Sequence, residues 1–516
     1  MDTTAIRKLV GRHFVVGFDG LEVNDSIREM IQTYYVGSII LFSRNIESPK
    51  QVFQLIQELQ QLAEEAGYVH PILISVDQEN GVIRRLVNGM SLLPGAMSLG
   101  STQNPLYAEE SYRASAEELS KLGITWNLAP VADVNNNPDN PVIGVRSFGD
   151  NPKIAANFVA NAVEGIQREI AATLKHFPGH GDTTVDSHLS LPIIEHDLTH
   201  LRQNEFIPFK SGIKVGAASI MLAHVYFPKI EAERLPASLS NKVVNILRKE
   251  LDYQGVIVTD CLEMNAIAET IGTENAGVKA LENGIDIAMI SHTFEKQAST
   301  IKRAIKKATE DSAFLTILKE SDKRVLAFYQ KYGRWTNQET FDSDNFLAMV
   351  NNHEKLAREI YQKSEMFSQM PSITWKKDES LLVITFENTI FSKVEDPNHL
   401  AVPLEKVISE YSDNFRIYTV SNEDTVETTI KKIGDISSSY DHLLMTTYNI
   451  RSDKDKQALI YQALHEKISE IALIALRNPY DAKWVSDLFA YITPFEFTEE
   501  AVRVAVAGLY KGVESK

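Results

Sequence analysis

Through its first two-thirds this chain alternates short, near-continuous apolar runs with longer amphipathic stretches, a rhythm that few folds accept. The apolar runs cover residues 15–20, 38–42, 72–79, 124–134, 171–176, 218–225, 255–260 and 285–290. Runs that are apolar at nearly every position predict parallel strands buried on both faces. Between them the spacing predicts helices, for example over 25–33, 49–66, 108–122 and 152–169. Eight strands with intervening helices in about 330 residues suit a closed (β/α)8 barrel of the TIM type. A doubly wound open sheet is the competing α/β layout. The barrel is preferred because Asp77, Asn127, Asp133, Lys175, His176, His224 and Asp260 gather at the C-terminal ends of the predicted strands. Barrels build active sites on that face.

A mostly helical stretch follows, and it holds the polar segment GRWTNQETFDSDN at 333–345. Strand patterns then recur at 381–386, 415–420, 443–448 and 471–476. The expected organisation is a barrel over 1–335, a helical connection over 336–375 and a smaller α/β sandwich domain over 376–516. No glycine fingerprint follows the first strand of that second unit, so dinucleotide binding has little support there.

Bulk properties narrow the partners. The chain carries 52 basic and 69 acidic residues, a net charge of −17, which repels phosphate backbones. Nucleic acid is therefore not expected, whereas an uncharged ligand such as a sugar fits. Cys261 is the single cysteine, so neither an intrachain disulfide nor a cysteine metal cluster can form. The opening MDTTAIRKLVGRHFVVGF lacks the apolar stretch and cleavage site of a signal peptide. No run approaches the length of a membrane span. The expectation is a cytoplasmic protein with no membrane partner.

The densest chemistry lies in KHFPGHGDTTVDSHLSLP, residues 175–192, which packs three histidines, two aspartates and a lysine around two glycines. Three readings compete. His176, His180, Asp182 and His188 are metal-ligand types, but their spacing matches no helical or finger pattern. Lys175 and His176 can cap the barrel end while the glycines make a tight turn. Alternatively, Asp186 and His188, two residues apart, form an acid/base pair in which the carboxylate orients the imidazole and stabilises its protonated form. Such a histidine can give a proton to a leaving group and later take one from water, the work a carboxylic acid does in most glycosidases.

Asp260 ends the seventh predicted strand and either caps the next helix or serves as a carboxylate nucleophile at the same mouth. Asp77 ends the third strand, where its oxygens can accept hydrogen bonds from two sugar hydroxyls, and Arg85 follows in the loop. Arg146 in NPVIGVRSFGD braces a ligand group or makes a surface ion pair. The acid/base reading needs neither metal nor cofactor, and none is assigned.

The blocks KHFPGHGDTTVDSH, SVDQENG, VRSFG and VTDCLEM resemble the signatures of family-three glycoside hydrolases, in the branch of β-N-acetylglucosaminidases. The resemblance covers the barrel throughout, with the blocks in the family's order, and IALIALRNPYD at 471–481 resembles the core of the second domain of two-domain members. It implies Asp260 as nucleophile and His188 as general acid/base held by Asp186. It implies Asp77 as a hydroxyl ligand, with Arg146, Lys175 and His176 lining the pocket for a terminal β-linked N-acetylglucosamine. His224 and Met264 fall near the same mouth. The implied substrates are muropeptide or chitin oligosaccharides, hydrolysed from the non-reducing end with retention. Phosphorolysis and sugar binding without turnover are the alternatives. One departure stands out: where the family reads DQEGGRV, this chain reads Asp77-Gln78-Glu79-Asn80-Gly81-Val82-Ile83, leaving Arg84 or Arg85 to replace the missing arginine.

Overall fold

The computed structural model describes residues 2–184, 186, 191–336, 339–370, 374–387 and 402–512. Eight parallel strands close into a barrel: β1 (Phe14–Val16), β2 (Ser38–Leu41), β3 (Leu73–Val76), β4 (Trp126–Asn127), β5 (Ala171–Phe177), β6 (Ser219–Leu222), β7 (Val256–Cys261) and β8 (Ile287–Ile290). Closure is made by β1 against β8, with Val15 opposite Met289. Except for β5 and β7, the strands are shorter than the apolar runs, whose remaining residues lie in the adjoining loops.

Side chains alternate along each strand, so one set fills the lumen and the other meets the helices. Val15, Ile40, Leu73, Trp126, Met221, Val258 and Met289 form the inner cluster. Phe14, Val16, Ile39, Leu41, Ile220 and Ile257 face the surrounding helices. The Trp126 indole N–H donates to Thr173 Oγ1 (2.7 Å) and Ser219 Oγ (3.0 Å), which satisfies its polar atom inside the lumen. The helix Ser312–Tyr332 plugs the N-terminal end: Phe328 meets Trp126 edge-on at 5.1 Å, and the Tyr329 hydroxyl lies 2.9 Å from Ser38 Oγ at the start of β2. With that end filled, the C-terminal mouth is the open one.

The C-terminal sheet comprises β9 (Phe367–Gln369), β10 (Leu381–Phe386), β11 (Phe415–Val420), β12 (His442–Thr447), β13 (Ile471–Ala475) and β14 (Ala490–Ile492), in the order β11-β10-β12-β13-β14-β9. Every pairing is parallel except β9 with β14. β9 lies inside the stretch expected as a connection, and both β9 and β14 are additions to the four strands expected there.

The sheet docks on the barrel through a shared apolar cluster, where Leu93, Met97, Ala114 and Val145 pack with Phe495, Phe497, Val502 and Val506. Within this contact Arg84 donates to Glu496 (2.8 Å), both side chains buried, and Glu496 also accepts from the Gly95 N–H at 2.9 Å. No helix among the described residues is long and apolar enough to cross a membrane.

Candidate active site

The turn after β3 is set by Gln78. Its side-chain oxygen accepts from the N–H groups of Arg85 and Leu86, its amide donates to Leu86 O, and its backbone exchanges two hydrogen bonds with the Asn127 side chain. This clamp fixes the flanking Asp77 and Glu79. The departure Asn80-Gly81 is accommodated because both residues sit in the left-handed region, at φ 66° and 60°. Asparagine tolerates that conformation and glycine prefers it. Of the two arginines that follow, Arg84 turns to Glu496, while Arg85 comes within 4.0 Å of Asp77 Oδ2.

Glu79, which the sequence offered without a role, is the hub of a buried charge network. Arg146, carried by the short turn Gly144–Arg146, grips its two oxygens bidentately at 2.8 Å each. Lys175, at the end of β5, lies 2.6 Å from Glu79 Oε1 and donates to Asp77 Oδ1 at 2.7 Å. Burial opposes the charge on Glu79, yet the two cations outweigh it and hold its carboxyl well below the usual range. Burial likewise opposes charge on Lys175 and Arg146, and their carboxylate partners prevail, raising both. Asp77 is the most open member, its side chain 17% exposed against 4% or less for Glu79, Arg146 and Lys175.

A second buried pair supports the neighbouring loop. Asp133 accepts from the backbone N–H groups of His176 (3.1 Å) and His180 (2.7 Å), and His176 Nδ1 lies 2.7 Å from its Oδ2. Burial would raise the Asp133 carboxyl, but the two histidines reverse the sign and lower it. Burial, with His176 beside it, depresses the His180 imidazole to about 4, so it stays neutral at physiological pH. Asn140 ties the loop from the other side, donating to His180 O and Gly181 O.

Asp260 is the one residue of β7 that is not fully buried, and its Oδ1 accepts from the Cys261 N–H at 2.7 Å. His224 lies wholly buried after β6, with Nδ1 2.7 Å from Ser238 Oγ and Nε2 2.8 Å from Cys261 O. It thus supports the turn that follows Asp260. Met264 is buried on the lumen cluster beside Cys261. Asp186 is buried, and His188 lies outside the described residues. The strand ends therefore bring Asp77, Arg85, Arg146, Lys175, His176 and Asp260 to one barrel mouth.

Sequence reasoning assigned no C-terminal residue to this region. The structure adds a cleft of about 500 Å³ lined by Asn135, Asn140 and Thr184 from the barrel and by Asn478, Tyr480 and Trp484 from the second unit. Asn135 donates to the Tyr480 hydroxyl across it at 2.8 Å. The signal was present in the RNPYD turn, but nothing local indicated that it faces the barrel.

A barrel with carboxylates at its open end and a docked α/β sheet defines a glycoside hydrolase once its relatives are considered. The family model described as "Glycosyl hydrolase family 3 N terminal domain" matches residues 6–327, and the chain belongs to that family. Beta-hexosaminidase A of Pseudoalteromonas piscicida is 31% identical over 405 residues, covering 75% of this chain and 67% of that protein. The solved structure of a family 3 β-N-acetylglucosaminidase from Paenibacillus sp. str. FPU-7 superimposes with a TM-score of 0.88 at 34% identity, covering 98% of this chain and 97% of that one. A fungal multi-domain β-N-acetylglucosaminidase of the same family gives 0.89 at 33% identity; it is matched over 99% of this chain, which spans 60% of the fungal one.

Proposed function

We propose that this chain is a retaining, exo-acting β-N-acetylglucosaminidase that releases non-reducing terminal N-acetylglucosamine from muropeptide or chitin oligosaccharides. The observation that carries the reading is the partly exposed Asp260 on the same barrel mouth as the Asp77–Lys175–Glu79–Arg146 network. That network neutralises itself: Glu79 satisfies Arg146 and shares Lys175. Asp77, paired with Lys175, retains exposed surface with which to accept hydrogen bonds from sugar hydroxyls. Relatives named as hexosaminidases supply the sugar.

In the proposed reaction the Asp260 carboxylate attacks the anomeric carbon while protonated His188, oriented by Asp186, gives its proton to the departing glycosidic oxygen. Neutral His188 then takes a proton from water, whose oxygen attacks the anomeric carbon and expels Asp260. Two inversions give net retention. His224 and Met264 act as supports, holding the end of β7. Arg85 and His176 border the sugar pocket.

The test is kinetic. Asp260→Ala should fold as the parent does and lose several orders of magnitude in turnover of an aryl β-N-acetylglucosaminide. Near-parental turnover would remove Asp260 from the mechanism. His188→Ala should impair poor leaving groups far more than activated aryl ones; equal losses on both would argue against proton donation. Phosphorolysis is separated by assaying sugar 1-phosphate in phosphate buffer, where the hydrolytic reading expects free N-acetylglucosamine alone.

A further inference from the structure

Apart from the proposed catalytic set, His196, His200 and Glu205 bring three ligand-type atoms within 4.8 Å of one another. Their placement follows from the segment after the catalytic loop. His196 immediately precedes Asp197, the N-cap of the helix Leu198–Gln203. Asp197 accepts from the His200 N–H at 2.9 Å, fixing His200 in the first turn, and Glu205 follows the helix end.

Glu205 is 4% exposed in its side chain. Its Oε1 accepts from Asn136 at 2.9 Å, while its Oε2 and the nearby His200 Nε2 meet no hydrogen-bond partner among the described residues. The His200 Nε2 lies 3.5 Å from Glu205 Oε1. A buried carboxylate and an imidazole nitrogen that face each other without a hydrogen bond form a locality that an electropositive ion would satisfy. His196 completes the arrangement. Its Nε2 lies 2.7 Å from Asp182 Oδ2, and an Nε2–H donated there leaves the lone pair on Nδ1. A carboxylate behind a histidine is the usual outer support of a metal-bound imidazole. The two imidazoles lie face to face at 3.7 Å, so their nitrogens serve one locality.

We propose that His196, His200 and Glu205 bind a divalent transition-metal ion of the zinc class, with Asp182 orienting His196 from outside the coordination sphere and water completing it. Two imidazoles and one carboxylate suit zinc; magnesium and calcium demand more oxygen ligands. The position gives the ion a role. Asp182 belongs to the loop that carries Asp186. Glu205 packs against Gly179 of the same loop, where an added Cβ would approach its Cγ to 2.6 Å. A bound ion ties that loop to the helix behind it, and its occupancy sets how firmly the acid/base pair is held. This last step rests on the proposed role of Asp186; the binding does not.

The test uses the full chain, stripped with a chelator and titrated with ZnCl2 by calorimetry, with metal content measured after gel filtration. About one tightly held Zn2+ per chain is expected. Asp182→Asn should weaken it about tenfold. Half-exposed His200→Ala and volume-conserving Glu205→Gln should lose it, while the control His70→Ala keeps it. With Co2+ in place of zinc, a four-coordinate visible spectrum should appear in the parent and vanish in His200→Ala. No retained zinc, or equal retention in the parent and both ligand variants, overturns the site. A chain that binds zinc yet cleaves no N-acetylglucosaminide would overturn the proposed function and uphold the site.

Discussion

Glu79 sits one residue from a strand-end turn, yet it answers two buried cations at once. Removing its charge strands them. Glu79→Gln should therefore lower stability by about 3–5 kcal/mol, read as a fall in the denaturant midpoint at unchanged slope. Asp77→Asn, at the wetter end of the same network, should cost much less stability and appear instead as a loss in kcat/KM. A Glu79→Gln chain as stable as its parent would mean that Lys175 and Arg146 find other counterions. Asp77, Lys175 and Arg146 were visible in the sequence as charges in strand-end blocks. That Arg146 grips Glu79 was not, because the contact joins segments 67 residues apart and leaves no local trace.

At the level of elements, the turn after β3 depends on a close backbone approach. Gly81 has φ 60°, and a Cβ there would come within 2.6 Å of Gly95 Cα, which no rotamer relieves. Gly81→Ala should destabilise by about 1–3 kcal/mol and, by shifting the turn that carries Asp77, weaken substrate binding as well. Parental Tm and KM together would show that the turn yields. The eight barrel strands could be read from the sequence because burial on both faces leaves runs with no polar break. β9 and β14 escaped notice because three residues are too short to show a period, and β9 lies in a stretch dominated by helical patterns. The end of β5 and the loop after it announced their titratable groups, but not that Asp133 would gather the N–H groups of both His176 and His180.

At the scale of the whole molecule, the barrel and the second unit are joined by a shared cluster that unites barrel residues with the last helix, Glu499–Lys511. The second unit carries its own titration. Asp481 is buried, accepting from Thr447 Oγ1 at 2.6 Å and the Ile450 N–H at 2.8 Å, and burial pushes its carboxyl up from 3.8 to about 7. The folded state thus holds this proton more tightly than the unfolded chain does. The associated stability is fully present below about pH 4 and lost as pH rises through about 7, at most about 1.4 kcal/mol per pH unit. Asp481→Asn should flatten the pH dependence of Tm over that window; an unchanged slope would exclude Asp481 as its source. The antiparallel β9 has a further consequence. It leaves the ribosome before every other strand of that sheet, and its neighbour among the described residues, β14, is the last of those strands to be made. During synthesis the barrel can close early while this lone edge segment waits without a mate, so the second unit reaches its finished form only after β14 has emerged. An excised fragment beginning at 376 would lack that border strand and expose the flank of β14 to the solvent and to other copies of itself.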